Sequence, residues 1–173
     1  MIDAHFHILE LACGDCGWLT LRATASCGAS AGILAEAAPS EAETHFLLQQ
    51  AHGAADVLGV VGRVDMLAAD APTSIPALAR HAKLKGLRPM QQDITDPDWI
   101  VQDTMQHAFV VMVTHKLAFD ALVKPVLLPR IGLLARRYPV LRIVVEHRSK
   151  PDIALGHWQG LTDALEHLAC LGM

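Results

Sequence analysis

A chain of 173 residues, 52% hydrophobic but only 5% aromatic, suffices for one packed domain built from alanine, leucine and valine. The formal charge of −4 and a pI near 6.2 provide no basic stripe, which argues against nucleic acid as a partner. No segment approaches the roughly 18 apolar residues of a membrane span, and the N-terminus lacks the pattern of a signal peptide. A cytoplasmic protein is expected, its four cysteines free thiols.

Residues 1–8 (MIDAHFHI) read as a short buried strand, and the Gly-, Cys-, Ser- and Thr-rich stretch 10–30 as a loop. A second apolar run covers 32–38. Ser40 and Glu43 then form a capping box, and Phe46, Leu47, Ala51 and Ala54 follow at helical spacing, which predicts a helix over about 40–54. VLGVVGRVDM (57–66) is a β-branched run and a third strand. Ser74 and Pro76 predict a short helix through His81, and LKGLRPM (84–90) a fourth strand.

Asp96-Pro97 is an N-cap followed by proline, predicting a helix to about 108, before a fifth strand at 117–123. A helix over 129–138 ends in Arg136 and Arg137, where cations suit the dipole, and Pro139 stops it. VLRIVVEH (140–147) is the sixth strand, and 157–170 a last amphipathic helix. Alternating strands and helices signal βαβ units and a parallel sheet. The connection between the first two strands is the exception, since it holds no convincing helix.

In such sheets functional groups gather at the C-terminal ends of the strands. His5 and His7 end the first strand and share one face, because strand side chains alternate. Asp65 ends the third strand and Arg88 the fourth; Asp120 lies in the fifth, and Glu146-His147 closes the sixth. Neutral imidazoles at one rim can hold a divalent metal that lowers the pKa of bound water toward about 7. Arg88 can anchor a polar or anionic group. The same residues also fit ordinary roles: Asp120 as a hydrogen-bonded buried acid, Arg88 as an ion-pair partner.

His45, His52, His81, His107, His157 and His167 fall on helices among polar neighbours and are expected in solvent. Cys13-Gly-Asp-Cys16 lacks a second such pair and reads as free loop thiols. Nucleophile-elbow, Walker and dinucleotide-binding motifs do not occur in the sequence.

DAHFH, AAPSEAET, VVGRVDM, LKGLRPMQQD, FDALVKP and VVEHRSKP, in this order, resemble the amidohydrolase-related TIM-barrel hydrolases, in the branch that includes sugar lactonases. The resemblance implies a (β/α)8 barrel, of which this chain supplies about six of eight units over a single domain, 1–173. It implies that His5, His7 and His147 are catalytic and metal-binding, and that Arg88 and Gln92, with Asp120, line the substrate. It further implies a divalent metal, zinc foremost, although some lactonases of the branch work without one.

The departures are specific. The chain is short for a barrel, and the aspartate of a Gly-Ser-Asp-Trp-like motif is absent. The first crossover helix is missing. Arg63 stands where the family tends to have tryptophan, Gln91 where it has leucine, and Glu146 where it has aspartate. Exposed strand edges then invite a homo-oligomer that covers them. The leading expectation is a metal-dependent hydrolase acting on a lactone or similar cyclic ester. Two others stand beside it: a shortened, inactive homologue serving as a binding or assembly module, and a decarboxylase on the same barrel.

Overall fold

Among the described residues six strands, all parallel, pair strictly in sequence order: β1 (Ile2–Phe6), β2 (Ala31–Ala35), β3 (Val57–Gly62), β4 (Leu84–Leu87), β5 (Ala118–Ala121) and β6 (Ile143–Val145). The computed structural model describes residues 2–7, 30–38, 40–89, 94, 96–152, 154, 156 and 159–170. Between consecutive strands run α1 (Glu41–Ala51), α2 (Ala71–Ala79), α3 (Gln106–Thr114) and α4 (Leu128–Arg137), and α5 (Gln159–Ala169) follows β6. The loop expected at 10–30, with Cys13 and Cys16, lies outside the described residues.

Sequential order places each strand beside its chain neighbour, so the sheet never reverses direction as doubly wound sheets do. This is the winding of a (β/α) barrel, and six strands of it make a curled half-barrel. One sheet face packs on the helices. Leu34 aligns with Val60, and Leu87 with Phe119, and all four are fully buried. Against this face lie Leu47 of α1, Ile75 of α2, Phe109 and Met112 of α3, and Ile131 and Leu134 of α4. Phe109 and Phe119 meet edge to face, their ring centroids 5.3 Å apart.

Two glycines are demanded by close approach. A Cβ on Gly62 would meet Thr44 of α1 at 2.4 Å, and one on Gly86 would meet the Ala118 carbonyl oxygen at 2.7 Å. The other face is the barrel interior. There Asp120 aligns with Val144, and Val144 is 48% exposed. Ile2, in the edge strand β1, is 59% exposed.

Several expected elements shift. α2 begins three residues before Ser74, behind Asp70, because Pro72 fits the first turn, and Pro76 sits inside it. Beyond Asp96-Pro97 come two single 3-10 turns, Trp99–Val101 and Asp103–Met105, before α3 starts at Gln106. Asp96 accepts from the Asp98 N–H and the Gln102 side chain, so it organises a turn, not a helix. β6 is shorter than 140–147, because the chain is still turning up to Arg142. The capping box at α1 is half formed. Ser40 Oγ accepts from Glu43 N, whereas the Glu43 carboxylate turns to the N–H groups of Ala37 and Ala38.

Candidate active site

His5 and His7 leave β1 on one face, as their spacing requires, and β2, β4, β5 and β6 end beside them. His7 Nδ1 lies 2.8 Å from the Ala35 carbonyl oxygen. A carbonyl only accepts, so Nδ1 carries the proton and Nε2 a lone pair. His5 Nδ1 lies 2.7 Å from Glu146 Oε2 and donates to that carboxylate. Its Nε2 then faces His7 Nε2 at 2.8 Å. Two imidazole lone pairs this close repel unless an acid, a proton or a divalent cation, lies between them. The donor set therefore fits a metal, and each Nδ1 partner is the supporting contact metal-binding histidines use.

Glu146 Oε2 also lies 3.5 Å from His147 Nε2, and the His5 and His147 ring centroids are 4.9 Å apart. His5, Glu146 and His147 offer ligand atoms all within 4.8 Å of one another. His147 opens four successive non-glycine residues, His147 to Lys150, with φ between 47° and 61°. Each costs about 1 kcal/mol relative to right-handed backbone, and such strain gathers at functional sites.

Arg88 is 2% exposed and Asp120 3%. Arg88 Nη2 and Nε donate to Asp120 Oδ2 at 2.9 and 3.1 Å, and Nη1 donates to the Glu36 carbonyl at 3.3 Å. Nη2 also lies 3.5 Å from Glu146 Oε1. Arg88 thus joins the ends of β2, β4, β5 and β6.

Burial pushes the Asp120 carboxyl up to about 6, despite the opposing charge of Arg88. Burial likewise raises Glu36 to about 7, against Arg88 and Arg63 and with help from Glu43 and Asp120. For Glu146 burial acts upward, but the hydrogen bond and charge of His5 and the charges of Arg88 and His147 outweigh it and hold the carboxyl below its ordinary value. Burial lowers His7, opposed by the Ala35 carbonyl. It also lowers His147, opposed by Glu146.

The structure brings His5, His7, His147, Arg88 and Asp120 together. Gln92 and Gln91 lie outside the described residues. Asp65 is exposed and accepts from the Leu67 N–H, away from the cluster. His45, His52, His81, His107 and His167 are exposed, and His157 is outside the described residues. Two residues of the cluster, Glu36 and Glu146, received no role from the sequence. Glu146 was noted at the end of the sixth strand and as a substitution for aspartate, without a chemical task. Glu36 carried a usable signal, a lone acid inside the apolar run 32–38.

No family model matches the chain. An L-fucono-1,5-lactonase of Burkholderia ambifaria is 40% identical over 97% of the chain. An amidohydrolase of Burkholderia multivorans, solved with bound HEPES, superposes with a TM-score of 0.84 at 25% identity over 98% of the chain. The chain is thus similar to a curated lactonase and to crystallised amidohydrolases. A second crystal form from Burkholderia multivorans, with bound zinc, gives a TM-score of 0.80 at 26% identity and 98% coverage. The chain spans 63% of the lactonase and 66% of each crystallised amidohydrolase. The incomplete barrel expected from six strands is therefore borne out. A candidate site for a divalent metal stands at its rim. No helix of the described residues is long and apolar enough to cross a membrane.

Proposed function

We propose that this chain is a single-domain, cytoplasmic hydrolase of the amidohydrolase type that opens a lactone or similar cyclic ester with water. The observation that carries the reading is the pair of Nε2 atoms of His5 and His7, 2.8 Å apart, each with its Nδ1 committed to an acceptor. The zinc-bound Burkholderia multivorans structure and the L-fucono-1,5-lactonase of Burkholderia ambifaria support it.

His5 and His7 would hold a divalent cation, zinc foremost, with Glu146 and His147 in reach. When bound, such an ion supplies Lewis acidity and lowers the pKa of water toward about 7. The protein's own part follows from its contacts. Glu146 orients His5 and the Ala35 carbonyl orients His7, so neither imidazole can turn away. His147, half exposed at the rim, takes the proton of the attacking water as its oxygen bonds the carbonyl carbon, and returns it to the ring oxygen as the carbonyl–ring oxygen bond breaks, leaving the open hydroxy acid. Arg88 with Asp120, and Gln92 further along the same segment, border the substrate. A second copy of the chain covers the open edges at β1 and β6.

Metal analysis of purified protein, paired with lactone hydrolysis, tests this. The His5→Ala/His7→Ala double variant should lose bound zinc and at least about 100-fold in kcat/KM. Full activity in the double variant would sink the site. No metal and no turnover in the unaltered chain would favour the binding-module reading instead.

A further inference from the structure

Arg88 is the guanidinium that the sequence offers first as a substrate anchor, yet each of its three nitrogens already faces the protein. Another guanidinium stands one strand away. Arg63 directly follows β3, and side chains alternate along a strand. Gly62 faces α1, since its Cβ would meet Thr44, so Arg63 faces the interior side, with Arg88 and Asp120.

Its backbone is clamped there. Thr44 Oγ1, fully buried, accepts from Arg63 N at 2.6 Å and donates to Arg63 O at 2.9 Å. The far end is left open. Arg63 Nη1 is buried and has no hydrogen-bond partner among the described residues. Glu36, just past β2, is 1% exposed, and neither of its carboxylate oxygens has a partner among them either. Arg63 is near enough for its charge to pull the Glu36 carboxyl down against burial, but the two make no ion pair.

Buried polar groups are almost always paired, so an unpaired donor and an unpaired acceptor at the adjoining ends of β3 and β2 call for a polar guest. A carboxylate would satisfy Arg63 and be repelled by Glu36. An unsubstituted ring would leave both unpaired. A hydroxyl both accepts and donates. We infer that Arg63 and Glu36 form a hydroxyl-reading subsite, in which Arg63 donates to and Glu36 accepts from a hydroxyl of a hydroxylated lactone bound over the histidines. The inference rests on the lactone-hydrolase reading and adds specificity-determining residues to it.

The test compares L-fucono-1,5-lactone and glucono-δ-lactone with δ-valerolactone, the same ring without hydroxyls, in the full chain, Arg63→Gln and Glu36→Gln. The ratio of kcat/KM for the better hydroxylated lactone over δ-valerolactone should fall about 10- to 100-fold in both variants. Binding of the matching aldonate, L-fuconate or gluconate, measured by calorimetry, should weaken by a similar factor. An unchanged ratio overturns the subsite. If the unaltered chain opens no lactone, the lactone-hydrolase reading fails and calorimetry alone decides: weaker aldonate binding in the variants supports the subsite, and unchanged or absent binding overturns it. Thermal melting establishes that each variant folds. Should Arg63→Gln not fold, the isosteric Glu36→Gln carries the comparison.

Discussion

Asp120 and Arg88 are worth more as a pair than either is alone. Both are buried, and Asp120 supplies the carboxylate that two guanidinium nitrogens share. Removing one partner leaves an uncompensated charge out of water, so Asp120→Ala should cost about 3–5 kcal/mol in urea unfolding. Glu36 behaves differently, because burial raises it from the ordinary 4.5 to about 7. A carboxyl raised on folding binds its proton more tightly in the folded state. Its ionisation therefore costs nothing below about 4.5, grows costly between 4.5 and 7, and is fully costly above. Glu36→Gln should gain stability relative to the unaltered chain as pH rises from 5 to 8, by up to about 3 kcal/mol. Parallel unfolding curves at the two pH values check the sign; a constant difference would refute it. His7 and His147, both lowered, act oppositely on the whole molecule, losing stability as pH falls below the usual histidine range. The comparison between variants removes their contribution.

Strands and helices are held at set distances by residues with no side chain to spare. The Cβ of Gly86→Ala would meet a backbone carbonyl oxygen, which cannot swing aside, whereas that of Gly62→Ala would meet the Thr44 side chain. Both should destabilise, by about 1–3 kcal/mol. Gly62→Ala should in addition disturb the Thr44 clamp on Arg63, seen as altered backbone amide shifts at residues 62–64. Most of these elements were legible from periodicity and β-branched runs, which report burial on one or both faces. Their ends were less so. The Asp96-Pro97 pair reads as a helix start, but Asp96 organises a turn with Asp98 and Gln102. Likewise Glu43, three residues beyond Ser40, satisfies the sequence rule for a capping box while its carboxylate serves Ala37 and Ala38. Such competition between neighbouring donors has no periodic signature.

At the scale of the molecule, among the described residues β1 and β6 each have a strand neighbour on one side only, and Ile2 and Val144 are exposed. Exposed parallel edges are templates for pairing. Light scattering should accordingly give a mass above the 18.7 kDa of one chain, and Val144→Lys should move it toward the single-chain value. A single-chain mass across micromolar to millimolar concentration would exclude a covering copy.

Near-continuous apolar runs set between helical segments pointed by themselves to six strands and their parallel pairing, because strands covered on both faces carry apolar residues on both. The strand-end rule likewise placed His5, His7, Arg88, Asp120 and His147 at one rim. Only the tertiary structure decided which partner each group meets. It set the two Nε2 lone pairs face to face, gave Arg88 to Asp120 and the Glu36 carbonyl, and left Arg63 Nη1 and the Glu36 carboxylate without partners among the described residues, at the adjoining ends of β3 and β2. Those relations join residues up to 52 positions apart, such as Glu36 and Arg88, and hydrogen-bond pairing depends on ångström distances that no local pattern encodes. MIDAHFH announced a metal-type site; the fold determined what surrounds it.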